Sequence, residues 1–302
     1  MITMNNTQAN AVAAAINQER HRMGSPAVGM VLTLLVITDE MHQAEALQAA
    51  SLAAREHPMR IIGLISRPGR GEAHLDAQIH VGADNGPGEI IACHLYGELS
   101  QHAGSVAIPL LLPDTPVVAW WPDNSPDDPA QDSIGRHAQR RITDTSATAH
   151  YLKELDKRFA NYAPGDTDLA WTRITTWRSM LAAALDQPVG DVTSAKVTVE
   201  PHNPSGILLA GWLQQRLGVP TTLAHAQAPG INSVTLETTI GTVSLSRPDG
   251  KVATLEIPEM PPASVPLNRR SLADLLSEEL RRLDADEIYL QALRGIAQVK
   301  PS

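Results

Sequence analysis

One segment, residues 28 to 65, constrains this chain more than any other. Residues 28–37 are a continuous apolar, β-branched run of strand length, closed by Thr38-Asp39. A run without polar alternation predicts a strand buried on both faces. Thr38 or Asp39 can cap a following helix. That helix is predicted over residues 42–55, with Ala44, Leu47, Ala50 or Ser51, and Ala54 at helical spacing. His57-Pro58 ends it, because the residue before proline avoids the α region. Residues 59–65 form a second buried strand. Strand, helix and strand within about 40 residues make a βαβ unit with parallel strands and a right-handed crossover.

Elsewhere the pattern is less regular. Residues 1–22 mix polar and small residues, and Ala11 to Ile16 favours a helix that Met23-Gly24-Ser25-Pro26 breaks. Residues 74–81 and 89–96 read as a hairpin around Asn85-Gly86, a pair suited to positive φ. Residues 99–107 are expected to be helical, and residues 108–112 and 116–121 extended. Pro122 to Pro129 is an exposed loop, and a helix is expected over residues 133–141. Helices follow at 151–162, 169–185 and 205–217, the last ended by Gly218. Three strands at 234–239, 242–246 and 252–257 form a meander. Residues 258–266 are a connector, and an amphipathic helix at 271–283, extended over 286–296, closes the chain. The expected fold is α/β in two domains: residues 1–150 with a mixed sheet and a parallel βαβ start, and residues 151–302 with helices on a mainly antiparallel sheet.

Composition narrows the partners. The formal net charge is -9, which disfavours binding to phosphate backbones, so no nucleic-acid partner is expected. The longest apolar run falls far short of the ~20 residues that span a bilayer, and no membrane partner is expected. The polar N-terminus and the single cysteine, Cys93, point to the cytoplasm, a reducing compartment. A lone cysteine on an apolar strand is expected to be buried and unreactive.

No complete catalytic constellation is present, and no cofactor, metal or catalytic residue is assigned. Gly69-Arg70-Gly71 lacks dinucleotide-binding spacing, and there is no phosphate-binding P-loop or nucleophile elbow. Asp166-Thr167-Asp168 has two readings. Two carboxylates two residues apart can share a divalent cation, as in a sugar- or nucleotide-phosphate transferase. The same aspartates can cap the helix that follows. Trp120-Trp121 also has two readings: core on both sides of a covered sheet, or an aromatic anchor at an interface, where Trp and Arg concentrate. Arg136, Arg140 and Arg141 are placed on the next helix.

Five tracts together resemble the OpcA family. They are Val31-Leu32-Thr33-Leu34 through Thr38-Asp39; Arg55-Glu56-His57-Pro58-Met59-Arg60; Leu110-Leu111-Leu112-Pro113-Asp114-Thr115-Pro116-Val117-Val118-Ala119-Trp120-Trp121-Pro122; Arg140-Arg141-Ile142-Thr143-Asp144; and Tyr162-Ala163-Pro164-Gly165-Asp166-Thr167-Asp168-Leu169-Ala170-Trp171-Thr172-Arg173. They occur in the family's order over most of the chain. The resemblance implies a non-catalytic assembly factor or activator whose partner is glucose-6-phosphate dehydrogenase. Related cyanobacterial proteins resemble redox-regulated activators with cysteine pairs; with only Cys93, this chain has no intrachain dithiol switch. Among the matched tracts, Trp120, Trp121, Arg140, Arg141, Asp166, Asp168, Trp171 and Arg173, with nearby Arg178, are the expected partner-binding residues, brought together across the domain boundary. The rival expectations are the transferase on Asp166 and Asp168, and a metabolite sensor binding at the carboxyl ends of the parallel strands.

Overall fold

The computed structural model describes residues 1–23, 29–82 and 88–301. In chain order it runs β1 (Ile2–Thr7), α1 (Ala9–Met23), β2 (Leu32–Asp39), α2 (Gln43–Ala53), β3 (Met59–Arg67), β4 (Leu75–Val81), β5 (Glu89–Tyr96) and α3 (Ala103–Ala107). Next come β6 (Val117–Trp120), β7 (Arg140–Thr143), α4 (Tyr151–Ala160), β8 (Asp166–Asp168), α5 (Leu169–Thr172), α6 (Thr175–Leu185), β9 (Val192–Val199) and α7 (Pro204–Leu217). The remainder is β10 (Thr221–His225), β11 (Ile231–Thr238), β12 (Gly241–Ser246), β13 (Val252–Glu256), β14 (Ala263–Pro266), α8 (Leu272–Leu280), α9 (Glu287–Ile296) and β15 (Lys300–Pro301).

The chain forms two compact units. The first comprises residues 1–147, 165–167 and 272–285; the second comprises 148–164, 168–271 and 286–302. They are interleaved in sequence rather than divided at one point.

The first unit is built on an eight-stranded sheet of order β1-β4-β5-β3-β2-β6-β7-β8. The βαβ expectation holds: β2 and β3 are parallel in register from Leu32 opposite Met59 to Asp39 opposite Ser66. Both strands are buried almost throughout, as their unbroken apolar runs require. β5 and β6 extend the parallel array on either side. β4 and β5 form the expected antiparallel hairpin; its Asn85-Gly86 turn lies outside the described residues, as does the Gly24 to Pro26 break. The core on one face gathers Val12 and Ile16 of α1 with Leu75, Ala77, Ile79, Ile91, Cys93 and Leu95.

The second unit carries a seven-stranded sheet, β14-β13-β12-β11-β9-β10-β15. The expected meander is its centre, antiparallel from β9 through β11, β12, β13 and β14. β10 runs parallel to β9. The N-cap Asn203 accepts from the Gly206 amide, and Gly218, at φ 66°, ends α7 in the left-handed conformation. α7 is buried along most of its length and lies tight against α9. A Cβ on Gly211 would meet the Ala292 carbonyl oxygen at 2.4 Å, and one on Gly295 the Gly211 oxygen at 2.1 Å. Only glycine allows this crossing.

Several local expectations are corrected. Residues 2–7, part of the polar and small-residue stretch in which no strand is expected, form β1 and pair with β4. The helix expected over 133–141 is instead a short helical turn at 135–137 followed by β7, which is hydrogen-bonded to β6. The helix expected over 169–185 is divided into α5 and α6, and the C-terminal helix into α8 and α9. Moreover α8, expected in the second domain, belongs to the first unit and packs on α2. His57 Nε2 lies 3.0 Å from the Ser277 carbonyl, and Arg281 pairs with Glu56 at 2.9 Å. α8 is amphipathic, and burying Leu275, Leu276 and Leu280 contributes about 1.5–3 kcal/mol each.

Candidate functional site

In the first unit, Trp120 ends β6 and Trp121 follows it; both are buried, at 0% and 2% exposure. Trp121 packs into the apolar core with Ile134 and Ala138, so of its two readings the core placement holds here. Arg140 and Arg141 sit on neighbouring β7 and point to opposite sides, as successive strand residues must. Arg140 pairs with Glu279 of α8 and donates to the Asp284 carbonyl at 2.6 Å. Arg141 pairs with Asp166 and donates to the Ala138 carbonyl at 2.8 Å. Gly165, at φ 98°, brings Asp166 to this arginine; a Cβ there would strike the Gln139 carbonyl oxygen at 2.2 Å.

In the second unit, Asp168 is the N-cap of α5, its Oδ1 accepting from the Ala170 amide at 2.8 Å. Only one of the two aspartates therefore caps the helix; Asp166 serves the Arg141 ion pair. Trp171 is buried, and its Nε1 donates to Asp286 Oδ2 at 2.7 Å. The other oxygen of Asp286 caps α9 through the Ile288 and Tyr289 amides. Arg178 lies over the Trp171 ring and also donates to Thr175 Oγ1 at 3.1 Å. Arg173 is half-buried on the short link between α5 and α6.

Eight of the nine expected residues, all but Arg173, thus fall in two local groups. One joins β6, β7 and Asp166; the other joins Asp168, Trp171 and Arg178. Seven of the nine are buried, and only Arg173 and Arg178 are half-exposed. Buried charges of this kind are tolerated because each has a partner.

Cys93 is buried, and burial pushes its thiol up to about 12. A thiol so far from ionising is a poor nucleophile at neutral pH.

A further group had no sequence signal. Asp39, at the end of β2, and Asp123, beyond the end of β6, meet at His42. His42 Nδ1 lies 2.8 Å from Asp39 Oδ1 and 3.1 Å from Asp123 Oδ2. The hydrogen bond that the His42 ring donates to Asp39 raises the His42 pKa, and the charges of both carboxylates add to the effect. Burial raises that of Asp123, and the neighbouring Asp39 charge acts the same way. For Asp39, burial acts upward but is outweighed by hydrogen bonds from the His42 amide and ring, so its pKa is lowered. The donor set of two carboxylates and one imidazole suits a divalent cation; a protonated His42 satisfies the same carboxylates. Parallel pairing of β2 with β6 brings Asp123 to within reach of residues some 80 positions earlier.

Among the described residues, no helix is long and apolar enough to cross a membrane. Residues 50–160 match a family model described as glucose-6-phosphate dehydrogenase subunit N-terminal domain, and residues 164–293 one described as the C-terminal domain of that subunit. A Synechocystis protein named OxPP cycle protein OpcA is 27% identical over 146 residues, which is 44% of this chain and 30% of that protein. Among solved structures, a 3-ketoreductase from Actinomadura kijaniata with NADP and TDP-benzene aligns over 90% of this chain and 98% of its own, at 10% identity and a TM-score of 0.48. An oxidoreductase from Sinorhizobium meliloti aligns over 88% and 95%, at 10% identity and 0.45. These two likenesses are too slight to bear on activity.

Proposed function

The chain belongs to the OpcA family, and from that premise we propose that it is a non-catalytic partner of glucose-6-phosphate dehydrogenase. It docks on the dehydrogenase in the cytoplasm and favours the active oligomer. A partner that prefers the active state shifts the population toward it by its differential affinity. The observation that carries this reading is the pair of family matches, which span residues 50–160 and 164–293 and both name a subunit of that dehydrogenase.

The docking surface is proposed to include the tracts of the nine residues above. Arg173 and Arg178 supply side chains at the surface. Within the first unit the pairs Arg140–Glu279 and Arg141–Asp166 hold the backbone of their own tract, and within the second the buried Trp171 ring lies under Arg178. Arginine next to packed aromatic residues is a common composition at binding hot spots.

The test is to mix the purified chain with its cognate dehydrogenase. Capture of the dehydrogenase is expected, with a higher rate of NADP reduction or a larger active-oligomer fraction. The chain alone is expected to reduce no NADP with glucose 6-phosphate. If mixing leaves turnover, substrate affinity and oligomeric state unchanged, the reading is wrong.

A further inference from the structure

The face of the first sheet opposite α1 changes character across its width. Over β2 and β3 it is roofed by α2. Over β5, β4 and β1 it is paved with polar side chains set side by side by the strand register. Asp76 stands opposite His94, Gln78 opposite Ala92, Thr3 opposite Gln78, and Arg67 opposite Tyr96. All of these but Ala92, with Asn5 and with Gln43, the first residue of α2, line a pocket of ≈ 380 Å³. That is within the range of small-molecule sites. Arg67 and Tyr96 end the parallel strands β3 and β5, so the pocket opens at the carboxyl ends, where α/β sheets bind ligands.

Two nitrogens on residues of this pocket lack what buried polar groups ordinarily have. His94 is 9% exposed, and its Nδ1 is buried with no hydrogen-bond partner. Its pKa is lowered by burial first and by the Arg67 charge second. A neutral ring with an unserved Nδ1 is best accommodated with its proton on Nε2, which can then donate. Arg67 Nε is likewise buried and unpartnered. Its terminal nitrogens hold the Tyr96 hydroxyl at 2.7 Å and Glu40 at 2.7 Å. The Glu40 side chain is 60% exposed, a surface counter-ion of the kind that contributes little and is readily exchanged.

The lining also decides the class of ligand. The Tyr96 ring is stacked on His74 at 4.1 Å and lies beneath Arg67 at 5.1 Å. It therefore offers a hydroxyl and no open ring face, so a nucleobase would find no aromatic platform. The other groups are amides, hydroxyls and one carboxylate, which suit hydroxyl groups.

We propose that this pocket binds a small polyhydroxylated anion of the sugar-acid or sugar-phosphate class. The anionic group sits on Arg67 and His94, and the hydroxyls on Asp76, Gln78 and Asn5. The site is independent of the dehydrogenase reading, because it is tested on this chain alone. Calorimetric titration of the full chain would use glucose 6-phosphate, gluconate, glucose and inorganic phosphate as probes. At least one of the first two is expected to bind saturably at one site, about tenfold or more tighter than glucose or phosphate. Arg67→Met should weaken that binding about tenfold or more. Gln78 is exposed, so its variants should fold: Gln78→Glu should weaken binding and Gln78→Lys strengthen it, a sign reversal that a structural effect would not produce. If Arg67→Met melts early, the Gln78 pair decides alone. Absence of saturable binding by both anionic sugars overturns the proposal. So does phosphate binding as tightly as they do, or binding that ignores the charge at position 78.

Discussion

The guanidinium of Arg178 lies over the indole of Trp171, its Cζ 3.7 Å from the ring centroid. The ring is buried and the arginine half-exposed. The indole is therefore a core residue of the second unit, and the arginine covers it.

Trp171→Ala should accordingly behave as a core truncation, costing about 3–5 kcal/mol of stability. Arg178→Ala should remove the cation–π contact and cost about 0.5–2 kcal/mol. Urea unfolding of the single and double variants measures both, together with their coupling. A Trp171→Ala protein as stable as the parent would contradict the packing described here.

Arg141 and Arg173 should respond differently to charge reversal. Arg141 is 7% exposed and Asp166 6%, so Arg141→Glu sets two carboxylates together in a buried site and should cost about 3–5 kcal/mol. Arg173→Glu is half-exposed and should leave the melting temperature nearly unchanged while weakening capture of the dehydrogenase. Thermal melts and a pull-down read the two effects apart. Parent-like capture by Arg173→Glu would move the contact away from this tract.

The two aspartates of Asp166-Thr167-Asp168 should also separate. Asp168→Asn is expected to be mild, since asparagine caps well, whereas Asp168→Ala should cost about 0.5–2 kcal/mol. Asp166→Asn discharges the partner of buried Arg141 and should be the more damaging of the two Asn variants. Equal tolerance of both Asn variants in denaturant melts would count against the division of labour.

His42 should titrate above its ordinary range, because Asp39 and Asp123 favour its charged form. With a folded pKa raised above the unfolded one, its stabilising contribution is fully present below the unfolded value of about 6.5. It is lost as pH rises through the higher folded value. Proton NMR of the His42 ring follows this directly, and Asp123→Asn should lower the midpoint. An unchanged midpoint in that variant would show that Asp123 is not its partner.

What could be read in advance depended on how local the signal was. The βαβ start, the meander and the Gly218 helix end were legible because strand burial, turn residues and caps act within a few positions. β7 was not: Arg140-Arg141-Ile142-Thr143 has no alternation of its own and is a strand because β6 lies beside it. β1 was missed for the same reason, its partner β4 lying some 70 residues away. At the candidate site, the Asp168 cap follows from its own neighbours, but the Asp166–Arg141 pair requires two distant segments to meet. The Asp39–His42–Asp123 group and the polar pocket depend entirely on strand order, which a single sequence does not display.

The interleaving of the two units limits how this protein can be dissected or inherited. A gene cut near codon 150 would give a first fragment without α8, leaving α2 without the helix that packs on it. The second fragment would carry the apolar side of α8, Leu275, Leu276 and Leu280, with no α2 to cover it. Both pieces would expose sticky surface and should precipitate or be degraded rather than behave as free-standing modules. The two halves must therefore travel in one reading frame, and recombination that swaps one alone is expected to be lethal to the fold.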